Sequence, residues 1–230
     1  MERLVETEWL DTLSPRDSCA ARSRSDIRRV NWLMGNVDVL ERLLQGARGS
    51  CRIVDLGAGD GTFLLRLARR LAPCWGRTEA VLVDRHDLLC AQTRAGFLEL
   101  GWTVESVQAD AFDWLAGQGT GAGTVLIANL FLHHFSEEQL RSLFEMASSR
   151  CIVFAACEPR RKAIALTASR LLGLIGCNAV TRHDGPASVR AGFAATELSA
   201  LWPQGSDWEL REDPAGWFGH CFLARRVVEG

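Results

Sequence analysis

Two hydrophobic periods alternate along the 230-residue chain. From Asp26 to Leu44, the apolar positions Ile27, Val30, Leu33, Val37, Leu40 and Leu44 recur every three or four residues. That spacing predicts an amphipathic helix, broken near Gly35. The preceding stretch, 1–24, is polar apart from anchors such as Trp9 and Leu10, and reads as an arm with one short helix. Cys51–Leu56 is a short apolar run that ends in glycines, the pattern of a buried strand.

The alternation then repeats. Thr62–Leu71 reads as a helix, Ala80–Asp84 as a strand, Leu88–Leu100 as a helix and Val104–Ala109 as a strand. A short helix begins over Phe112–Leu115, followed by a glycine-rich turn from Gly117 to Gly123 and a strand over Thr124–Leu130. Ser136 opens a helix to Ser148 as an N-cap with acids behind it, and Cys151–Cys157 is a nearly all-apolar strand. Strands that are apolar throughout are buried on both faces, which implies a parallel sheet covered by helices. Residues 160–206 read as helical, with a loop around His183 to Pro186. Trp208–Glu212 and Phe218–Val227 read as an antiparallel pair joined by a turn through Asp213, Pro214 and Gly216. The expected organisation is one domain over 1–230. It divides into an arm and helix (1–45) suited to form a lid, a ligand-binding core (50–160), a helical insert (160–206) and a terminal hairpin (207–230).

Composition narrows the function. Hydrophobic residues make up 47% and charged residues 23%, the balance of a globular chain. The net charge of −2 lacks the basic excess of a protein that grips phosphates, so nucleic acid is not the expected partner. Lys162 is the sole lysine, and with no tyrosine there is no phenol to act as acid or base. None of the eight cysteines forms a C-x-x-C pair, so zinc-ligand spacing is absent and no metal is expected. The start, MERLVETEWLD, lacks a secretory pattern, and no stretch has the length of a membrane span. A cytoplasmic protein with reduced cysteines and no membrane partner is the expectation.

The most informative stretch is Ile53-Val54-Asp55-Leu56-Gly57-Ala58-Gly59-Asp60-Gly61-Thr62, a strand that runs through glycines into a helix. Glycines permit a tight turn and a close ligand approach, although a plain strand–helix turn has the same pattern. Thr62 stands where a dinucleotide fingerprint places its third glycine. Asp55 inside the strand suits the ammonium of an amino-acid ligand; a pyrophosphate gains nothing from it. Asp84 ends the next strand, where a carboxylate accepts both ribose hydroxyls, or else caps the following helix. Asp110, after the third strand, is placed to accept from an adenine amino group or to act as an N-cap.

The order and spacing of V-D-L-G-A-G-D-G-T, V-L-V-D, A-D-A-F and A-N-L-F-L-H-H-F resemble class I S-adenosylmethionine-dependent methyltransferases, most strongly over residues 50–160. The resemblance implies a Rossmann-like, doubly wound α/β fold: a seven-stranded, mostly parallel sheet with a C-terminal antiparallel hairpin. It implies S-adenosylmethionine as cofactor. It also implies Asp55, Gly57, Ala58 and Gly59 near the methionine moiety, Asp84 on ribose, Asp110 and Ala111 at adenine with Arg85 flanking it, and Asn129 beside the donor; Asp60, an acid in the loop where such families vary, either helps to bind the amino group or faces solvent.

The activated donor leaves the enzyme to orient an acceptor and to take one proton. His133 or His134 is a candidate general base, because imidazole titrates near neutrality. The bland alternative is that the pair only holds its loop. His183, next to Asp184, is the third candidate. Glu158-Pro159-Arg160-Arg161 either lines the acceptor site or starts a solvated helix, and Trp9, Arg28, Asn31 and Trp32 are the lid candidates. Asn129 is followed by Leu-Phe-Leu and not by the Pro-Pro-aromatic run of base-amino methyltransferases. A small organic acceptor is therefore expected, phenolic or polyketide-like and methylated at oxygen. A donor-binding protein without turnover, a methyltransferase acting on RNA or protein, and a nicotinamide oxidoreductase stay as alternatives. A homodimer is the candidate assembly.

Overall fold

A computed structural model describes residues 1–47, 51–117, 123–205 and 207–227. The central part of the expected glycine-rich turn, 118–122, lies outside them. Seven strands form one sheet: β1 (Arg52–Leu56), β2 (Glu79–Asp84), β3 (Thr103–Gln108), β4 (Thr124–Asn129), β5 (Val153–Pro159), β6 (Trp208–Ala215) and β7 (Gly219–Arg226). The order is β3-β2-β1-β4-β5-β7-β6, with the first five parallel and β7 antiparallel to both neighbours. The expected Rossmann-like sheet with its antiparallel hairpin is what forms. The strand order reverses between β1 and β4, and ligands of open α/β sheets bind in the crevice beyond the strand ends at such a point.

Helices follow as α1 (Trp9–Thr12), α2 (Ser18–Met34), α3 (Asn36–Leu44), α4 (Thr62–Trp75), α5 (Ala91–Glu99), α6 (Ala111–Gly117), α7 (Glu137–Ser148), α8 (Ala163–Arg170), α9 (Ala179–Ala191) and α10 (Glu197–Leu201). Alternate residues of the buried strands feed two cores. Ile53, Leu82, Ile127 and Ala155 pack with α3, α4 and α5. Val54, Val81, Leu126 and Phe154 pack with α6, α7 and α10. In the second core, Phe144, Phe154, Trp202 and Phe222 are all fully or almost fully buried, with Phe144, Trp202 and Phe222 each within 6.2 Å of the Phe154 ring centroid.

Three expectations need correction. The helix predicted from Asp26 begins at Ser18, because Asp17 caps it by accepting from the Cys19 and Ala20 N–H groups (2.6 and 3.4 Å). It breaks at Gly35, as expected, where φ is +66°. The loop expected at His183 to Pro186 is the middle of α9. Asn178 caps that helix by accepting from Thr181 N–H (2.9 Å), and burial of Val180, Ala187 and Val189 outweighs the ladder bond lost at Pro186. The hairpin turn lies at 216–218. Asp213 and Pro214 pair with Cys221 and His220, and proline is tolerated there because β6 is an edge strand.

All eight cysteines are free thiols, and no described helix is long and apolar enough to cross a membrane. Because Phe154 is central to the aromatic core, Phe154→Ala is expected to cost about 3–5 kcal/mol in urea unfolding. Leu98→Ala, at a position 60% exposed, should stay within about 0.5 kcal/mol of wild type.

Candidate active site

Beyond the carboxyl ends of β1, β2 and β4 lies a cavity of about 1030 Å³. Asp55, Gly57, Ala58, Gly59, Asp60, Asp84, Arg85, Asp110, Ala111, Asn129, His133 and His134 all line it. His183 does not. It stacks on Trp9 with ring centroids 3.7 Å apart, its Nδ1 faces Asp184 (2.9 Å), and Asp184 is the member of that pair that reaches the cavity.

The glycine turn is shaped by contacts that admit no side chain at two positions. A Cβ on Gly57 would sit 2.2 Å from the Phe131 ring, and one on Gly61 would sit 2.6 Å from Leu82, and both glycines have positive φ. Gly59 faces open space. Its N–H donates to Asp84 Oδ2 (2.8 Å), while His86 N–H donates to Asp84 Oδ1 (2.9 Å). The carboxylate is thereby held at the mouth of the turn with lone pairs left to accept hydroxyls. Asp60 Oδ1 accepts from Thr62 N–H and Oγ1–H at the start of α4, and its Oδ2 pairs with Arg28 of α2 (2.7 Å). Asp55 is only 2% exposed. Burial, with the charge of Asp84 added, pushes its pKa well above the usual carboxylate range, and such a group is drawn back to its charged form by a cation.

Asp110 accepts from Phe112 N–H (2.8 Å) at the start of α6, in keeping with the capping alternative, and pairs with Arg85 (2.7 Å). Asn129 belongs to a triangle of amides. Asn36 Nδ2 donates to Asn129 Oδ1 (2.9 Å) and to Asn31 Oδ1 (2.8 Å), and Asn129 Nδ2 also donates to Asn31 Oδ1 (2.9 Å). This ties α2 and α3 to the end of β4. The next residue, Leu130, has φ +52°, a costly conformation for a branched side chain, held by its N–H donating to Cys157 O (2.9 Å).

Glu158, the penultimate residue of β5, has no exposure. Its Oε1 accepts from the Phe131 and Leu132 N–H groups (2.9 Å each), and its Oε2 accepts from His133 Nδ1–H (2.7 Å). On the other side of the ring, His133 Nε2 faces Glu8 Oε1 at 3.5 Å. Burial alone would lower the His133 pKa; the hydrogen bonds and charges of Glu158 and Glu8 overturn that and raise it to about 9. Burial likewise pushes Glu8 up, but His133, His134 and Ser188 hold it at about 2. Glu8, His133 and His134 bring donor atoms within 4.8 Å of one another.

The arm straps across this region. The Trp9 and Leu10 N–H groups donate to the two Asp184 oxygens (2.9 and 3.0 Å), Arg3 donates to Phe135 O (2.8 Å), and Ser188 donates to Glu8. Asp11 Oδ2 lies 3.4 Å from His134 Nδ1, and His134 is one-quarter exposed toward the cavity. Sequence reasoning missed Glu8 and Asp11: no local pattern announces an acid whose partner is more than a hundred residues away. Trp32, a lid candidate, is 74% exposed and lines a different hollow.

Residues 53–151 match a family model described as a methyltransferase domain. No curated protein matches the chain in sequence. Among solved structures, the plantazolicin methyltransferase BpumL in complex with SAH is similar, with TM-score 0.64, 11% identity and 92% of each chain covered. So is an O-methyltransferase family protein from Burkholderia thailandensis, with TM-score 0.59, 18% identity, and 93% of this chain against 61% of that one. At these identities the structural likeness speaks to the fold. With the domain match over 53–151, the chain is similar in sequence and in fold to class I S-adenosylmethionine-dependent methyltransferases.

The raised His133 pKa sets a pH dependence. Its stabilisation is fully present below pH 6.5 and is lost as pH rises through 9. The unfolding free energy of wild type minus that of His133→Gln should therefore fall by about 3 kcal/mol between pH 6.5 and 9. A difference that is flat with pH would mean the imidazole is not held as a cation.

Proposed function

We propose that this enzyme transfers a methyl group to a small organic acceptor, at the oxygen of a phenol or a similarly weak acid. The observation that carries the reading is the row of carboxylates Asp55, Asp84 and Asp110 at the ends of β1 to β3, facing one cavity across an open glycine turn. That donor set fits S-adenosylmethionine. Asp60 and buried Asp55 meet the ammonium, and Arg28 meets the carboxylate of the amino-acid part. Asp84 accepts the ribose hydroxyls, while Asp110 and the Ala111 N–H take the adenine edge beside Arg85. Asn129 fixes the end of β4 beside the donor. The cofactor supplies a methyl group on a sulfonium, already activated for displacement. Two structural neighbours, a plantazolicin methyltransferase and an O-methyltransferase family protein, agree with such an acceptor.

The chain's own residues must place the acceptor oxygen and take its proton. His134 is the base in this reading. With Nδ1–H turned to Asp11, its Nε2 keeps a lone pair for the acceptor hydroxyl. His133, engaged by carboxylates at both nitrogens, is a positioning residue that fixes the loop presenting His134. Residues 1–17 act as the lid, and His183 serves the lid by stacking on Trp9. Residues 160–206 wall the acceptor side of one continuous domain.

Two measurements test this. Titration calorimetry with S-adenosylhomocysteine should show binding by wild type and at least roughly tenfold weaker binding by Asp84→Ala, about 1.4 kcal/mol. Folded wild type that binds nothing at saturating ligand would remove the donor assignment. Against an acceptor returned by a labelled-donor screen, His134→Gln should lower kcat by about 10²–10⁴ and leave S-adenosylhomocysteine affinity unchanged. Full turnover by that variant would reassign the base.

A further inference from the structure

We infer that the acceptor is an amphiphile, a small polar head carrying a hydrocarbon tail, and that the tail lies in the trough between α2 and the chain that follows α8. This rests on the methyltransferase reading above and names its substrate class.

Polarity divides the cavity. Glu8, Asp11, His134, Asp184 and Ser188 line the end under the arm, where a hydroxyl would meet its base. The stretch that adjoins this end is different. Between Ala163 and Gly176 the lining residues are Ala165, Ala168, Ser169, Leu171, Leu172, Leu174 and Ile175. The one hydroxyl among them is spent: Ser169 donates to Leu166 O (2.8 Å). Across the trough, α2 presents Ile27, Val30, Leu33 and Met34 among the polar lining residues Ser23, Arg24, Arg28 and Asn31. Arg29 Nη1 donating to Ile175 O (3.1 Å) and Asn178 N–H donating to Asp26 (2.7 Å) hold the two walls together.

These apolar side chains are also left in water. Leu174 is 82% exposed, Leu33 53%, Leu171 52% and Ile175 42%. Single exposed leucines need no explanation, but a continuous apolar lip on a cavity marks a ligand or interaction surface. The volume points the same way. A cavity of about 1030 Å³ stands at the top of the roughly 300–1,000 Å³ range for a single ligand, which leaves room for a sizeable acceptor beside the donor. A compact polar acceptor would touch only the inner end and leave the lip without a partner. A head with a tail covers both.

The test uses 4-alkylphenols from ethyl to octyl as probes, titrated below their aggregation limit into protein saturated with S-adenosylhomocysteine. Affinity should rise about fourfold per buried methylene. Leu171→Asp and Leu174→Asp should flatten that rise for the longer chains, with affinity for 4-ethylphenol and for S-adenosylhomocysteine unchanged. An affinity independent of chain length in wild type, with S-adenosylhomocysteine bound, overturns the amphiphile and spares the methyltransferase reading. A slope that survives in both aspartate variants puts the tail outside the trough and overturns the inference. Sedimentation showing a wild-type dimer that Leu174→Asp splits would make the lip a contact between two copies, with the same consequence. Loss of S-adenosylhomocysteine binding in wild type fails the methyltransferase reading itself.

Discussion

The buried carboxylate of Glu158 is the constraint on which the candidate site depends. A charge with no solvent access is costly unless every lone pair is used and a counter-charge is close. Glu158 meets that demand by accepting from the Phe131 and Leu132 N–H groups and from His133. Those partners are the backbone of the segment after β4, so satisfying one carboxylate on β5 dictates the path of the neighbouring strand's loop. The loop then sets Phe131 against Gly57, with no space for a side chain at that glycine. It also sets His133 against Glu8 and His134 against the cavity. Strand, glycine turn and arm are thus placed by one desolvated group.

The backbone carries part of the cost. Leu130 is held at positive φ between β4 and this loop, an arrangement that persists only where the surroundings over-determine it. The surroundings do so here. Leu130 N–H is tied to β5, and Asn129 before it is tied to α2 and α3 through two amides. The same amide triangle leaves Asn36 Oδ1 buried without a hydrogen-bond partner. A polar atom left so inside a satisfied network stands out, because native interiors pair nearly all such atoms.

Sequence reading recovered what is written locally and missed what is assembled at a distance. β1, β2, β4 and β5 are legible because a parallel strand buried on both faces is apolar throughout. The glycine turn and Asp55, Asp84 and Asp110 are legible because each follows a strand end at short range. β3 is a half-exposed edge strand, Thr-Val-Glu-Ser-Val-Gln, and was placed only by the alternation around it. The α9 region looked like a loop because Gly185 and Pro186 weigh against a helix locally, whereas capping by Asn178 and burial against the arm decide otherwise. Glu8 was invisible for the converse reason. It stands in a polar arm, and only the folded chain shows that a carboxylate there meets a buried imidazolium 125 positions away in sequence.

That pairing bears on how the enzyme works as well as how it folds. The arm is held by polar contacts more than by apolar burial: Asp184 accepts from two N–H groups of α1, Arg3 donates to Phe135 O, and Glu8 faces His133. α1 itself buries no residue. A segment with few buried apolar contacts opens at lower free energy than the core beneath it. Its hydrogen bonds can be exchanged for bonds to water at modest net cost, except at His133, whose ring stays against Glu158 and would lose its second carboxylate. Opening the arm therefore changes the charge balance around the residue that fixes the His134 loop. Docking of the arm restores it. In the proposed reading, acceptor entry and the geometry of His134 would be coupled through the same ion pair, which would make the arm part of the site's electrostatics and more than a cover over it.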